Sequence, residues 1–310
     1  MNDKDFLFTP LKENDKIVFG PFVGELGWEI TKWCGFVRWF KLKNPKKTIV
    51  AATRTDRIDL YYKYVDNIIT FEIEGDYSKF RPNMYRLDFF PEEKYNKIIS
   101  EVKKNFKDYY IASPPRQTNN RQIFNMEMSD FNFITRENNM SIISSILKVN
   151  KGRIPIVISP RHREDLGEDV KRVRNWKKNY WHELYELIEK TENYVCFIAG
   201  KSPSYIKPDK SLKSFVILED LLLPTIKDIS LIGLTLQSII VSKITIGQQS
   251  SIPILSNYLK TPTIMWGDEQ HRHQVLENPF STLCEFFEEK SSDYITDPKL
   301  ICSKLMKMTE

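Results

Sequence analysis

The chain has 310 residues, of which 41% are hydrophobic and 28% charged, a composition typical of a globular protein rather than a disordered or membrane-embedded one. No apolar run approaches the roughly 20 residues needed to cross a bilayer, and the charged residues 1–5 do not resemble a secretion signal. The four cysteines are widely separated, without the CxxC spacing of a zinc or redox site. We therefore expect reduced thiols and a cytoplasmic protein. A net charge of +5 permits an anionic ligand, a membrane surface or nucleic acid without selecting among them.

The first half of the chain alternates short apolar runs with helical patterns, which is typical of an α/β fold with a parallel sheet. The apolar residues Leu26, Ile30, Trp33, Val37 and Phe40 recur at spacings of three and four and predict one helix face. Strands are predicted at 16–19, 48–52, 67–71 and 108–112, and helices at 26–40 and 91–106.

The second half repeats this alternation after a loop-rich stretch that ends near residue 150. Strands are predicted at 154–158, 194–199, 215–218, 244–246 and 263–266, and helices at 181–188, 231–241, 252–259 and 298–308. Two domains of ordinary size fit this length. We expect domains at 1–150 and 151–290, with a terminal segment at 291–310.

The first turn of interest joins the first strand to its helix and is rich in glycine, at positions 20, 24 and 27. Glycine allows the backbone to approach a ligand closely. Glu25 within this turn is a candidate general base for an acceptor hydroxyl, and Gly24, Gly27 and Trp28 are candidate acceptor contacts. Alternatively, Glu25 or Glu29 only complements the helix dipole.

The second turn follows the strand at 154–158 and carries Arg161 and Arg163. Guanidinium groups match phosphate oxygens, and a fixed cation there would stabilise a departing diphosphate. Arg161 is therefore a candidate for both catalysis and donor binding. Alternatively, the two arginines pair with Glu164, Asp165 or Glu168 at the surface.

The third turn joins the strand at 244–246 to a helix and reads Gly247-Gln248-Gln249-Ser250-Ser251. Amide and hydroxyl groups at a helix start favour an anion, so all five residues are candidate donor contacts. Ordinary capping by serine is the alternative.

Three further features give weaker signals for ligand or metal binding. Gly200 and Glu219 follow neighbouring strands and are further candidate donor contacts, Glu219 for a ribose. Gly200-Lys201-Ser202 lacks the earlier glycine of a P-loop. His271 and His273 suggest a metal but have no third ligand at a diagnostic spacing, so we expect no metal site.

Taken in order, these turns resemble those of GT-B glycosyltransferases, nearest to the heptosyltransferase-like group. Gly24-Glu25-Leu26-Gly27 is similar to the turn that carries the acidic base of that group, with Glu in place of Asp. Arg161, Arg163 and Asn175-Trp176 are similar to its phosphate-contacting loop. Its last Gly-x-x-Ser-Gly segment is matched from Gly247 to Trp266-Gly267, with Ser251 in place of the second glycine.

The resemblance implies two Rossmann-like domains with parallel sheets that face each other across a cleft, with the terminal helix at 291–310 packed back onto the first domain. It also implies a hexosyl- or heptosyltransferase-like enzyme that needs no metal or other cofactor and uses a nucleotide-sugar as co-substrate. The donor would bind the second domain. The acceptor would be a glycan or lipid-linked saccharide, at the inner membrane face.

Two other functions fit the same sequence. A transferase that glycosylates modified bases in DNA, as some phage enzymes do, is compatible with the basic charge. A non-catalytic nucleotide-binding scaffold is compatible with the altered position at Ser251.

Overall fold

A computed structural model describes residues 10–24, 26–73, 91–114, 134–164, 175–222, 225–268, 283–289 and 296–310. The chain divides into two compact units, Met1–Ile134 and Thr135–Glu310. Within the described ranges, no helix combines the length and the apolar character that a bilayer crossing requires.

The first unit contains a four-stranded parallel sheet with strand order β3-β2-β1-β4. Its strands are β1 (Lys16–Phe19), β2 (Thr48–Arg54), β3 (Asn67–Phe71) and β4 (Tyr110–Ala112), and its regular helices are α1 (Gly35–Lys43) and α2 (Glu92–Asn105). Buried Val18, Val50 and Ala52 pack with Tyr95 and Val102 of α2. Parallel pairing brings the carboxyl ends of β1 and β2 to the same edge.

The helix predicted after β1 forms, but it is not a single α-helix. A helical turn (Leu26–Trp28) leads into a π-helical segment (Glu29–Cys34), and α1 follows directly. The predicted apolar face is confirmed at Ile30, Trp33, Val37 and Phe40, which are buried. Periodicity predicts a helix but not a π-helical turn, which depends on tertiary contacts and occurs frequently at functional sites.

The second unit contains a six-stranded sheet with strand order β10-β9-β8-β5-β6-β7, in which neighbouring strands pair in parallel. Its strands are β5 (Ile154–Ser159), β6 (Tyr194–Ile198), β7 (Phe215–Ile217), β8 (Ile244–Gln248), β9 (Thr263–Asp268) and β10 (Cys284–Glu289). Its helices are α3 (Glu137–Val149), α4 (Lys178–Glu189), α5 (Leu231–Val241), α6 (Ser251–Tyr258) and α7 (Pro298–Thr309). Trp176, Trp181 and Trp266 are fully buried with ring centroids 4.7 to 5.4 Å apart and form the aromatic centre of this core.

Helix α3 belongs to the second unit, whereas the sequence placed the boundary after it, near residue 150. The helix packs against α5, and its start is fixed there: the Thr135 hydroxyl donates to Gln237 at 3.1 Å, and the Asn138 amide donates to the Lys227 carbonyl at 2.8 Å. These polar contacts are not visible in the apolar pattern that suggested the boundary.

Helix α7 also packs within the second unit, on α4 and on strands β8 and β9. Its buried residues Ile301, Cys302 and Leu305 are part of the same core as Trp176. The resemblance implied that this helix packs on the first domain, and that contact stays a prediction.

Candidate functional site

Two of the predicted turns meet at one edge of the second-unit sheet. Strands β5 and β8 are neighbours, and Ser159 at the end of β5 pairs in register with Gly247 near the end of β8. Arg161 follows Ser159 by two residues, and α6 begins four residues after Gly247. Neighbouring strand ends of this kind, where the chain order reverses across the sheet, are where open parallel sheets bind ligands.

Gly247 is buried between these two turns. A Cβ at this position would lie 2.9 Å from the Ser159 carbonyl oxygen, 3.0 Å from Pro253 Cγ and 3.1 Å from Ser159 Cβ. Only a residue without a side chain lets β5 and the start of α6 approach this closely. The glycine therefore sets the distance between the loop that carries Arg161 and the helix start.

Ser250 is the N-cap residue of α6 by position, with extended backbone angles of −157° and 177°, but its hydroxyl does not cap the helix. Within the described part of the chain, this hydroxyl is buried and has no hydrogen-bond partner. The prediction that Ser250 caps the helix is therefore wrong for its side chain. A buried hydroxyl beside the amide groups of a helix start can donate to an anion.

The loop that carries Arg161 and Arg163 is held by backbone contacts on both sides. The His162 amide donates to the Ser204 carbonyl at 2.9 Å, and the Ile206 amide donates to the Pro160 carbonyl at 3.0 Å. The Asn175 side chain accepts from the Arg163 amide at 3.0 Å and donates to the Arg163 carbonyl at 2.8 Å. The backbone that presents both arginines is thus fixed before any ligand binds.

Glu164, offered as a surface partner for the arginines, contacts Lys178 at 2.8 Å and His162 at 3.1 Å. Lys178 first, and then His162, lower the pKa of this exposed carboxylate. Asp165 and Glu168, the other suggested partners, lie outside the described residues.

Glu219 lies at the start of a 3-10 turn (Leu218–Leu221) after β7. Its carboxylate accepts from the Ser202 amide at 2.8 Å, the Ser202 hydroxyl at 2.6 Å and the Tyr205 hydroxyl at 2.9 Å. Burial and then the hydrogen bond to Glu219 raise the pKa of Tyr205 to about 12. Glu219 thus holds the loop after β6, and Gly200 packs against the Tyr205 ring of that loop.

The glycine-rich turn of the first unit begins at Gly20, whose φ of 119° lies in the left-handed region. A Cβ there would lie 2.3 Å from the Ala52 carbonyl oxygen of β2. Both the backbone angle and the close contact require glycine. Gly24 and Gly27 are half-buried in the same turn, whereas Glu25 and the side chain of Trp28 lie outside what the structure describes.

A buried ion pair lies beneath this turn. The Glu29 side chain is fully buried and pairs with Arg57, which is 9% exposed. Glu29 also accepts from the Tyr61 hydroxyl at 2.7 Å and the Thr53 hydroxyl at 3.2 Å, and Arg57 donates to the Gly24 carbonyl at 3.0 Å. Glu29 is therefore not a surface residue that only complements a helix dipole.

Burial and the Glu29 carboxylate change the pKa values of the two side chains Arg57 and Tyr61. Burial alone would lower the pKa of the Arg57 guanidinium, but the Glu29 carboxylate, together with Asp56 and Tyr61, outweighs this effect and the pKa is raised. Burial and then Glu29 raise the pKa of the Tyr61 phenol far above its ordinary value. Arg57 is thus a permanent cation, and Tyr61 is a permanent hydrogen-bond donor.

Sequence reasoning missed Arg57 entirely. The available signal was the charged run Arg54-Thr55-Asp56-Arg57 directly after a buried strand, at the edge where ligands bind in parallel sheets. Arg54 and Asp56 pair with each other at 2.9 and 3.0 Å, so only the last residue of the run turns inward.

Comparison with solved structures identifies the fold. ADP-heptose LPS heptosyltransferase II from E. coli matches with a TM-score of 0.51 at 13% identity, over 94% of this chain and 97% of that chain. A glycosyl transferase family 9 protein from Veillonella parvula matches with a TM-score of 0.57 at 10% identity, over the same shares of the two chains. The chain has the GT-B fold.

The sequence alone does not place the chain in a family. No protein-family model matches it. No curated protein matches it either. The GT-B assignment therefore depends on the arrangement of the strands and helices.

The GT-B fold brings together at the β5 and β8 strand ends the predicted donor residues Arg161, Gly247 and Ser250, with Ser251 at the first position of α6. Gln248 is buried at the end of β8, and the backbone amide of Gln249 donates to the Trp266 carbonyl at 2.8 Å, so both residues shape the turn. Gly200 and Glu219 lie on the other side of β5, after β6 and β7.

Among the described residues, no three His, Cys, Asp or Glu side chains group closely enough to hold a metal ion. His271 and His273, the residues that suggested a metal, lie outside the described ranges. The four cysteines are free thiols, three of them buried.

Proposed function

We propose that this protein transfers a sugar from a nucleotide-sugar donor to a hydroxyl group of a glycan or lipid-linked saccharide, without a metal ion. One observation carries the proposal: the pairing of Ser159 with Gly247 puts a fixed arginine loop and a helix start at neighbouring strand ends. Arginine and helix amides together form a site for a diphosphate. The GT-B fold, which glycosyltransferases use, supports the same reading.

In the proposed reaction the acceptor oxygen attacks the anomeric carbon of the donor sugar, and the bond from that carbon to the diphosphate breaks. Negative charge then gathers on the departing nucleoside diphosphate. Arg161 and the amides at the start of α6 stabilise this charge, and the Ser250 hydroxyl donates to it. Such fixed donors take the place that a metal ion holds in other transferases.

The acceptor proton goes to a carboxylate in the first unit, for which we propose Glu25. Support for this choice comes from the sequence, in which Glu25 follows Gly24 in the glycine-rich turn after β1. Glu29 does not fit this task, because its carboxylate is fully buried and accepts from Arg57, Tyr61 and Thr53.

The proposal is tested first by thermal unfolding in the presence of UDP, GDP, ADP and CMP. A ligand that binds only the folded state at about 100 times its dissociation constant adds ~2.7 kcal/mol of stability. We expect one nucleoside diphosphate to raise the Tm clearly more than the others do. If none of the four raises the Tm, the proposed function is wrong.

The second test is transfer from the matching nucleotide-sugars to acceptor glycans, with the wild type and with Glu25→Gln. Loss of a general base lowers the rate by about 100-fold or more, and the substitution keeps the shape of the side chain. Nucleotide binding without transfer from any donor would favour the scaffold alternative. Affinity for duplex DNA that falls steeply with salt would favour a DNA-modifying enzyme instead.

We also propose that the enzyme acts in the cytoplasm, at the inner face of the membrane where lipid-linked saccharides are accessible. The net charge of +5 supports a loose attraction to anionic lipid headgroups. Sedimentation with vesicles that contain anionic lipid, at low and at physiological salt, tests this placement.

A further inference from the structure

The guanidinium of Arg57 joins two parts of the first unit that are distant in sequence. Arg57 lies in the 3-10 turn (Thr55–Leu60) after β2, and its Nη1 atom donates both to the Glu29 carboxylate and to the Gly24 carbonyl. The first partner belongs to the π-helical segment, and the second belongs to the glycine-rich turn. One buried side chain therefore connects β2, the helix and the turn.

The position of this guanidinium is itself fixed. Glu29 is fully buried, and its Oε1 atom accepts hydrogen bonds from Tyr61 and Thr53. A buried carboxylate with several donors has one favourable orientation, because any movement leaves a buried polar group unsatisfied. Arg57 is thus held by a fixed carboxylate, and the same Nη1 atom also donates a hydrogen bond to the Gly24 carbonyl of the turn.

We propose that Arg57 is a positioning residue, which fixes the backbone at Gly24, the residue that precedes the proposed base Glu25 in the sequence. This inference rests on the proposed function, in which Glu25 is the base. The Glu29–Arg57 pair would then be retained for the geometry of the turn rather than for stability. Buried ion pairs commonly add little net stability compared with apolar residues of similar size.

The test separates geometry from stability with a double variant, Glu29→Met/Arg57→Met. It removes both buried charges together, which favours retention of the folded state. It leaves the Gly24 carbonyl without its donor, and the Tyr61 and Thr53 hydroxyls without their acceptor. We expect a fall of about 100-fold in kcat, as for other small displacements of a reacting group, with nucleotide affinity unchanged in the second unit. Arg54→Met is the matched control, because Arg54 pairs with Asp56 at the surface and leaves both partners of Arg57 in place.

A second variant covers the case in which the double variant does not fold. Arg57→Lys keeps the charge that pairs with Glu29, but the lysine ammonium ends one bond short of the Nη1 atom that contacts both Glu29 and Gly24. We expect this variant to fold and to lose about 10-fold in kcat with little change in donor KM. A folded variant of either kind with the kcat of the wild type would overturn the inference.

Hydrogen exchange distinguishes failure of this inference from failure of the proposed function. Without its anchor, the turn at residues 20–24 should exchange amide hydrogens roughly 10-fold faster, whether or not the protein is a transferase. Unchanged exchange there in the double variant refutes the positioning role. Faster exchange in a protein that transfers no sugar refutes the proposed function alone.

Discussion

The two units each have a glycine-containing turn at the carboxyl edge of a parallel sheet, but they hold it in different ways. In the first unit the turn is tied by charge, through Arg57 to the buried Glu29. In the second unit the turn is held by close packing, with Gly247 against Ser159 and Pro253. The first turn is therefore sensitive to the loss of a charge as well as to added volume at Gly20, whereas the packing at Gly247 makes the second turn sensitive to added volume.

The difference matches the tasks proposed for the two turns. A diphosphate is large and highly charged, and a rigid set of amide and guanidinium donors suits it. A general base must be oriented towards one proton, and a directional hydrogen bond to its backbone neighbour provides that orientation.

The largest expected effect is on the stability of the first unit. Arg57→Met leaves the Glu29 carboxylate buried without its cation, and such a loss costs about 3–5 kcal/mol of unfolding free energy. Asp56→Asn breaks an exposed pair with Arg54 and a longer contact of 3.9 Å with Arg57, but leaves no buried charge unpaired, so it costs at most about 1 kcal/mol. Urea unfolding monitored by tryptophan fluorescence measures both values. Equal losses of unfolding free energy in the two variants would show that the buried Glu29–Arg57 pair contributes no more to stability than an exposed pair does.

The next effect comes from Gly20→Ala, with Gly152→Ala as its matched control. Both positions have positive φ, 119° and 92°, but an added Cβ overlaps the Ala52 carbonyl only at Gly20 and meets nothing within 4 Å at Gly152. We expect Gly20→Ala to cost about 3 kcal/mol, since strain and overlap add, and Gly152→Ala about 1 kcal/mol from strain alone. Similar costs at the two sites, measured by urea unfolding, would mean that β2 moves away from the turn.

Ser250→Ala tests the packed turn of the second unit. Loss of a hydrogen bond to a charged ligand costs about 2 kcal/mol, so the nucleoside diphosphate should bind roughly 30-fold more weakly. Ser242→Ala is the control. Within the described residues its hydroxyl is also buried without a partner, but Ser242 precedes β8 rather than following it. Calorimetric titration should show weaker binding for Ser250→Ala alone; equal affinities in both variants would remove Ser250 from the site.

The smallest effect depends on pH. Asp66 accepts from the Ile49 amide at 2.7 Å and from Lys41 at 2.7 Å, and these bonds outweigh burial and hold its pKa below the ordinary value of 3.8. Its stabilisation is therefore present above pH ~4 and lost as the pH falls through the lowered pKa. We expect Asp66→Asn to cost less than about 1 kcal/mol at pH 7 and nothing at strongly acidic pH.

Asp15→Asn is the control for this titration. Asp15 pairs with Lys47 at 3.4 Å, and its side chain is 94% exposed, so removal of its charge should leave unfolding unchanged at every pH. A cost for Asp66→Asn that persists in acid would show that the carboxylate charge is not the cause.

The strands could be predicted from the sequence, because buried parallel strands are continuous apolar runs and their ends are marked by Gly, Pro and Ser. Ile154–Ser159 and Ile244–Gln248 are clear examples. Strand β10 (Cys284–Glu289) was not predicted. Its two adjacent phenylalanines lie between glutamates, which gives neither a continuous apolar run nor a regular alternation, so the strand is recognisable only from its pairing with β9.

The candidate site residues were chosen from the sequence and their role stays a prediction, whereas the contacts around them could not be predicted. Arg161, Gly247 and Ser250 lie at strand ends, which local sequence reveals. The partnership of Glu29 with Arg57 joins residues 28 positions apart and depends on the parallel pairing of β1 with β2, which no local pattern encodes. The roles of Asn175 and Glu219 in holding loops are likewise products of tertiary structure.

The most direct test of the central claim is calorimetric titration of the wild type, Arg161→Ala and Arg153→Ala with a nucleoside diphosphate and with its parent nucleoside. Arg161 follows the carboxyl end of β5 and Arg153 precedes its amino end, so the pair differs in position rather than in type. We expect Arg161→Ala to weaken diphosphate binding by at least about 10-fold and to leave nucleoside binding unchanged. Arg153→Ala should change neither affinity. Diphosphate binding that is equally strong in all three proteins, or absent from the wild type, would contradict the central claim.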